Sequence, residues 1–362
     1  MGPPRHLALL GGMAAETVEW PVPFADGLPM LRARRGRRVV VLASGDPFWH
    51  GAGSVLARAF ERGEWRALPG PSTFSLAAAR MGWALESALC LALHAAPLGR
   101  LRPHLAPGAR VIVLLRDGAA VGELCAYLDA EGYGASALTV LEALGGPRER
   151  VRTVRADAPP SDAAAPVAAA IEMAGPPGMP CAGGRPDALF ETDGQITKRP
   201  IRALALSALA PRPGEMLWDV GGGSGSVSVE WLLSHPATEA ACIEVRADRA
   251  ARIRRNADRL GADRLRVVEG AAPEALEGLP PPQAVFVGGG LSESLLDDLT
   301  ARAAGARLVA HAVTLESEAL LVARSARHGG DLMRVEVSET APLGPKRGWR
   351  AAHPVVQWRM VL

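Results

Sequence analysis

Leu217-Trp218-Asp219-Val220 runs without a break into Gly221-Gly222-Gly223-Ser224-Gly225-Ser226. No other segment restricts the chain as strongly. A short apolar run of strand character ends in a glycine turn, and a helical pattern, Val227–Leu233, begins at once. Strand, turn and helix in that order direct backbone N–H groups at one place. Without Cβ atoms the turn lets a ligand touch the backbone, and the helix dipole favours the ligand's negative end.

The next strand-like run finishes at Glu244, 19 positions beyond Gly225 (244 − 225). An acidic residue there accepts the hydroxyls of an adenosine ribose. Two nucleoside cofactors share that logic, S-adenosylmethionine (SAM) and NAD. Glycines at 221, 223 and 225 give G-x-G-x-G, whereas the dinucleotide fingerprint wants glycine where Ser226 stands. This favours SAM, whose carboxylate would sit at the helix N-terminus; a NAD-linked oxidoreductase is the alternative. Asp219 reads either as a ligand for the cofactor's ammonium group or as a carboxylate capping the glycine loop. Gly270 and Ala271, in Glu269-Gly270-Ala271-Ala272-Pro273, either approach the adenine ring or form a plain β-to-helix turn.

Around this unit the second half reads as an α/β domain. Expected strands are 215–220, 240–245, 264–269, 284–287 and 307–310, and expected helices are 201–209, 227–233, 247–260 and 316–328. Two further strand-like runs, 333–339 and 355–361, predict an antiparallel hairpin on the sheet edge, joined by a loop rich in Pro, Gly and Arg. Ordinary dinucleotide folds do not require one.

The first half alternates in the same way. Strands are expected at 39–43 and 111–115, helices at 51–62, from 75 and at 121–131, and a largely parallel sheet follows. Residues 167–173 read as a strand or short helix closing that domain. Proline and glycine cluster after it, and the expected division is 1–174, a linker at 175–186, and 187–362.

Composition narrows the function classes. Forty basic and 38 acidic side chains leave a net charge of +2, with no basic stripe of the sort nucleic-acid binders carry. No apolar run approaches a membrane span. Arg5 and Leu7–Leu10 imitate a signal peptide, but Gly11-Gly12 breaks the run, so a cytoplasmic protein is expected. Cys90, Cys125, Cys181 and Cys242 lack metal or C-x-x-C spacing, and no histidine cluster suggests a metal. Cys90, Cys125 and Cys242 read as buried thiols, Cys181 as an exposed one. Trp218, Trp231 and Trp358 read as core.

The motifs in order resemble a known family. Thr197-Lys198-Arg199-Pro200-Ile201-Arg202, the Leu217–Ser226 unit, Val285-Phe286-Val287-Gly288-Gly289 and Ala312-Val313-Thr314-Leu315-Glu316 resemble the C-terminal half of the precorrin-6Y C5,15-methyltransferases (decarboxylating) of cobalamin biosynthesis. Ser44-Gly45-Asp46-Pro47 with Gly51 and Gly53, Pro69–Ser75, and Leu144-Gly145-Gly146-Pro147 resemble the loops of their tetrapyrrole-methylase half.

The resemblance implies an α/β tetrapyrrole-methylase-like domain, followed by a Rossmann-like class I SAM methyltransferase domain with a terminal β-hairpin. It implies SAM contacts from Thr197, Asp219, Gly221, Gly223, Gly225, Ser226, Glu244, Gly270 and Ala271, and in the first domain from Gly45, Asp46, Pro47, Ser72 and Thr73. It also implies methylation of precorrin-6B at C5 and C15, with loss of the C12 acetate carboxyl to give precorrin-8X. Lys198, Arg202 and Arg347 are expected to meet the substrate's carboxylates. The partner is then a small tetrapyrrole, with no nucleic acid, membrane or bound metal, and a homo-oligomer is expected. No catalytic residue is assigned, because alignment of an activated methyl with an electron-rich carbon needs no strong base.

Three departures stand out. The segment 5–10 looks internal to the first domain, so that domain is expected to lack its opening strand and a glycine-rich loop; C15 chemistry alone is then a further alternative. Gln283 stands where an acidic residue is expected, and His311 where Asn is expected.

Overall fold

The computed structural model describes residues 1–12 and 14–362. They form two compact units, Met1–Ala95 with Pro107–Pro176, and Ala96–Ala106 with Pro177–Leu362. This differs from the expected division at two places. Gly184 and Arg185, read as linker, donate their backbone N–H groups to buried Glu230 at 2.7 and 2.9 Å. Residues 96–106 join the second unit, where Arg100 forks onto Asp263 at 2.9 Å. Side-chain anchoring, invisible in a proline count, decides both.

The first unit has helices α1 (Pro4–Leu7), α2 (Gly27–Arg32), α3 (Gly53–Ala59), α4 (Thr73–Met81) and α5 (Ala119–Ala130). Its strands are β1 (Leu89–Ala92), β2 (Arg110–Leu114), β3 (Ala137–Glu142), β4 (Arg150–Arg155) and β5 (Val167–Glu172), ordered β1-β2-β5-β3-β4. Only β1 and β2 pair in parallel; β5 runs against both neighbours and β3 against β4. The expected parallel sheet is therefore wrong for this unit. The short 143–149 turn accounts for one of these pairs, since so short a link can join β3 and β4 only as antiparallel strands.

Residues 39–43 are not a strand. Leu42 bonds Met1 and the Met1 amine bonds Val40, but no ladder continues, and Val40 is exposed. An apolar run makes a strand only when a neighbouring strand accepts its backbone groups.

The second unit carries α6 (Arg199–Leu209), β6 (Met216–Val220), α7 (Ser226–Ser234), β7 (Glu239–Glu244), α8 (Ala247–Leu260), β8 (Arg266–Glu269), β9 (Ala284–Val287), α9 (Glu293–Arg302), β10 (Arg307–Ala312), α10 (Leu315–His328) and β11 (Asp331–Val335). It ends with β12 (Ser338–Leu343), β13 (Lys346–Ala351) and β14 (Val355–Val361). Seven strands run in the order β11-β14-β10-β9-β6-β7-β8. β6 to β10 are parallel, whereas β14 is antiparallel to both β10 and β11. The order turns back at β6 and β9, the switch point at which open α/β sheets bind ligands beyond their carboxyl ends.

Successive side chains of β6 serve opposite layers, as strand pleating requires. Met216, Trp218 and Val220 join one core with Leu295, Leu299 and Leu321; Leu217 joins the other with Leu206, Val229 and Trp231. Trp218, Trp231 and Trp358 are all buried core residues. Of the cysteines, Cys125 and Cys242 are buried, Cys90 half-buried and Cys181 exposed. Gln283 works at the far end of the sheet from the ligand edge, accepting from the Met216 N–H at 2.8 Å. The terminal hairpin is present as β11 and β14. Its connecting segment, expected as a loop rich in Pro, Gly and Arg, is itself the β12–β13 hairpin. Among the described residues no helix is long and apolar enough to cross a membrane.

Candidate active site

β6 delivers its last buried residue, Val220, to a turn that only glycine can make. Gly221 and Gly223 have φ of +76° and +58°, a region costly for residues with a Cβ. A Cβ on Gly221 would lie 2.6 Å from the backbone of Gly289, in the glycine run that follows β9. Two chain segments thus meet backbone to backbone at the switch point. The N–H groups of Gly221 and Gly222 both donate to Ile243 O at 3.0 Å, which fixes the turn against β7.

Glu244 ends β7 and is buried. Its Oε2 accepts from the Gly223 N–H at 2.8 Å and its Oε1 from the Arg246 N–H at 3.0 Å. Gly270 N donates to Glu244 O at 3.1 Å, so the 270–272 turn forms the next wall. A third wall, 194–201, is anchored by Asp193. Arg249 and Arg252 reach its carboxylate at 2.9 and 3.3 Å and hold its pKa well below the usual range.

These walls enclose a cavity of about 1120 Å³. Of the expected residues, Thr197, Lys198, Gly221, Gly223, Glu244, Gly270 and Ala271 line it. The sequence reading missed Gln195, Arg249, Gly290 and His353 on its lining, together with Glu339 of β12; Arg350 of β13 lines it as well. Gly290 had a visible signal, as the third glycine directly after a buried strand. Gln195 and Glu339 had none, because they arrive from a loop and from an unforeseen hairpin.

Asp219 does not reach the cavity. Its carboxylate points into the core, where Oδ2 accepts from the Ser228 N–H at 3.1 Å and the Ser228 hydroxyl at 2.6 Å. Burial pushes this carboxyl up to about 6, against the pull of the Ser228 bonds. Of its two readings, the structure favours the cap: Asp219 ties the first turn of α7 to β6. Gly225 and Ser226 are also absent from the cavity lining. A Cβ on Gly225 would strike Ile253 of α8 at 2.7 Å, so its work is packing, and Ser226 is buried in the helix start.

Arg202 is a second correction. It is fully buried, with Nε donating to Glu230 at 2.6 Å and Nη1 to Asp187 at 2.9 Å and to Thr197 O. Its guanidinium also lies over the Phe190 ring at 5.0 Å. A cation already satisfied in this way cannot greet a substrate carboxylate. It instead holds the 187–197 wall in place from behind. Arg347 is exposed but does not line the cavity, whereas Arg350 does. The two differ by an odd number of residues along β13 and so leave opposite faces of the ribbon.

His311, at the carboxyl end of β10, lines the cavity while remaining largely buried. Its Nε2 pairs with Gln357 Oε1 at 2.9 Å, and its ring meets Phe286 edge-on at 5.0 Å. Burial holds the imidazole below its usual range, with Gln357 opposing the shift.

In the first unit the two expected loops do come together. Gly70 N donates to Gly45 O at 3.2 Å, and a Cβ on Gly45 would lie 2.9 Å from Pro71 O. Asp46 accepts from the Phe48 N–H, Pro47 O from the Gly53 N–H, and Ser72 caps α4 through the Ser75 N–H. Thr73 opens that helix.

Comparison with known proteins decides the family. The model of the precorrin methyltransferase domain matches residues 188–362, and that of the tetrapyrrole (corrin/porphyrin) methylases matches residues 25–159. A precorrin-6Y C(5,15)-methyltransferase [decarboxylating] of Sinorhizobium sp. is 51% identical over 98% of this chain and 87% of that protein. The chain belongs to the precorrin-6Y C5,15-methyltransferase family. A Mycobacterium tuberculosis relative of the same name is 42% identical over 99% of this chain and 91% of its own length. The crystal structure of the C-terminal domain of precorrin-6Y C5,15-methyltransferase from Rhodobacter capsulatus is 54% identical. It covers 51% of this chain and all of that one, with a TM-score of 0.49.

The chain is therefore a SAM-dependent C-methyltransferase of cobalamin biosynthesis, and the NAD alternative is set aside. The residues present fit SAM. Glycine backbone at 221–223 and 288–290 lines the cavity with no side chain in the way, and Glu244 offers an oriented carboxylate for ribose hydroxyls.

Proposed function

We propose that the second unit methylates C15 of precorrin-6B and removes the C12 acetate carboxyl as CO2, that the first unit methylates C5, and that precorrin-8X results. The size and lining of the cavity carry this reading. Its roughly 1120 Å³ exceeds what one drug-sized ligand fills, about 300–1,000 Å³. Its lining combines glycine backbone and Glu244 with the cations Lys198, Arg199 and Arg350.

SAM supplies a methyl group already activated by its sulfonium. The chain's own residues contribute geometry. Gly221, Gly223 and Glu244 fix where the cofactor's two ends lie, and Thr197, Gly270 and Ala271 close the walls between them. Lys198, Arg199 and Arg350 hold the rim carboxylates of a flat macrocycle, so that one bridging carbon faces the methyl group. Such alignment supplies much of the acceleration for a bimolecular transfer. Gly45, Asp46, Pro47, Ser72 and Thr73 form the corresponding cofactor loops of the first unit. The assembly is read as a cytoplasmic homo-oligomer, which light scattering on the purified protein measures directly.

Incubation with precorrin-6B and SAM tests the reading. The product mass should show two methyl gains and one CO2 loss. An unchanged substrate in the presence of bound SAM would refute it.

A further inference from the structure

α6 borders two cavities. Arg199 and Ile201 of its first turn line the SAM cavity, while Ala203, Leu206 and Ser207 line a smaller one of about 280 Å³. Cys181, Arg185 and Glu230 complete the smaller lining. Methyl transfer uses neither of two features found there. The first is the Cys181 thiol, which is exposed. Burial pushes Cys125 up to about 11 and raises Cys90 and Cys242 as well, so Cys181 is the thiol that a reagent in solution reaches. The second is Arg185, which is buried and whose Nε has no hydrogen-bond partner among the described residues. Its other nitrogens are loosely held: Nη2 donates to Cys181 O at 3.3 Å, and Nη1 stands 3.5 Å from Glu230 Oε2. A buried guanidinium left short of acceptors is costly, and a carboxylate supplies what it lacks.

We propose that Cys181 is a modification site for small disulfides that carry carboxylates, and that the adduct weakens SAM binding in the cavity across α6. The Cys181 thiolate attacks one sulfur of the reagent. A new S–S bond forms and the old one breaks; the departing sulfur takes the electron pair and then the proton that Cys181 gave up. One thiol and one disulfide become another thiol and another disulfide, so no further oxidant is needed. The adduct's carboxylate draws the Arg185 guanidinium to itself. Arg185 and Arg202 share the Glu230 carboxylate, and the Gly184 and Arg185 N–H groups hold it at 2.7 and 2.9 Å. Arg202 in turn donates to Asp187 and to Thr197 O. Pulling on the 181–185 segment therefore disturbs the buried pair that sets the 187–197 wall of the SAM cavity. Coupling through such a contiguous network needs no contact between thiol and cofactor.

The test treats wild type and Cys181→Ser with excess dithiodipropionate and, as the neutral reagent of matched size, hydroxyethyl disulfide. Mass spectrometry locates the adducts, and calorimetric titration reads SAM affinity. Both reagents should modify Cys181. The carboxyethyl adduct should raise the SAM Kd about tenfold, an ordinary coupling between sites, and the hydroxyethyl adduct about twofold at most. Dithiothreitol should restore the starting affinity, and Cys181→Ser should keep it throughout. Absence of an adduct on Cys181 would overturn the proposal. So would a carboxyethyl adduct that leaves SAM affinity unchanged, equal losses from the two adducts, or the same loss in treated Cys181→Ser.

Discussion

Glu244 Oε2 accepts the Gly223 N–H at 2.8 Å, so the acidic end of β7 is tied across to the glycine turn after β6. Glu244 Oε1 takes the Arg246 N–H. A carboxylate has about four lone-pair sites, so two remain for a ribose. Glu244→Ala should weaken SAM binding about 100-fold, roughly 2.7 kcal/mol. Glu244→Gln, which keeps one acceptor, should cost less. Calorimetric titration reads both, and equal affinity in all three proteins would remove Glu244 from the site.

Arg202 gives a stability prediction where the sequence suggested a substrate effect. Removing it takes the nearest charge partner from buried Glu230 and leaves only Arg185, at 3.5 Å, to offset the carboxylate, at a cost of up to about 3–5 kcal/mol. Arg202→Ala should therefore lower Tm sharply and release the 187–197 wall. A variant with unchanged Tm and only a raised substrate KM would restore the original expectation.

Asp219 sets a pH dependence. Its ordinary carboxyl value of 3.8 rises to about 6 in the folded chain, chiefly because burial disfavours the anion. Between those values the native state holds a proton that the unfolded state has lost, so stability falls as pH rises. The loss begins near pH 4, is complete above about 6, and amounts to at most about 3 kcal/mol, at about 1.4 kcal/mol per unit. Asp219→Asn lacks this slope. Denaturant melts of both proteins at pH 4.5 and 6.5 should show the variant gaining on wild type as pH rises; parallel curves would contradict the assignment.

Gly45 tests the division of labour. Its φ of +53° and the 2.9 Å approach to Pro71 O leave no room for a side chain. Gly45→Val should stop C5 methylation while C15 methylation and CO2 loss continue, giving a product one methyl short. A Gly45→Val product carrying both methyls would place C5 chemistry elsewhere.

How much was legible in the sequence differs between the units. In the second, hydrophobic periodicity located β9 and α8 to the residue, because both faces of each strand are buried and the helix stripe is unbroken. α9 went unseen, since its Ser292 cap and acidic first turn begin inside a polar stretch. Site residues on glycine turns were legible, because a missing Cβ has a direct geometric reason. Charged ones were legible only in part: Lys198 and Glu244 line the cavity as expected, but Arg202 and Arg350 look alike in sequence, and only packing separates a buried clamp from a cavity-lining cation. In the first unit, strand direction depends on which neighbours pair, and the 39–43 run found none.

Turnover of precorrin-6B with methyl-labelled SAM, compared between wild type and Glu244→Ala by product mass, tests the central claim most directly. Wild type should gain two labelled methyl groups and lose one CO2. Glu244→Ala should gain only the first unit's methyl and keep the acetate carboxyl. Two methyl gains with CO2 loss at the wild-type rate in Glu244→Ala would contradict the assignment of C15 methylation and decarboxylation to this cavity.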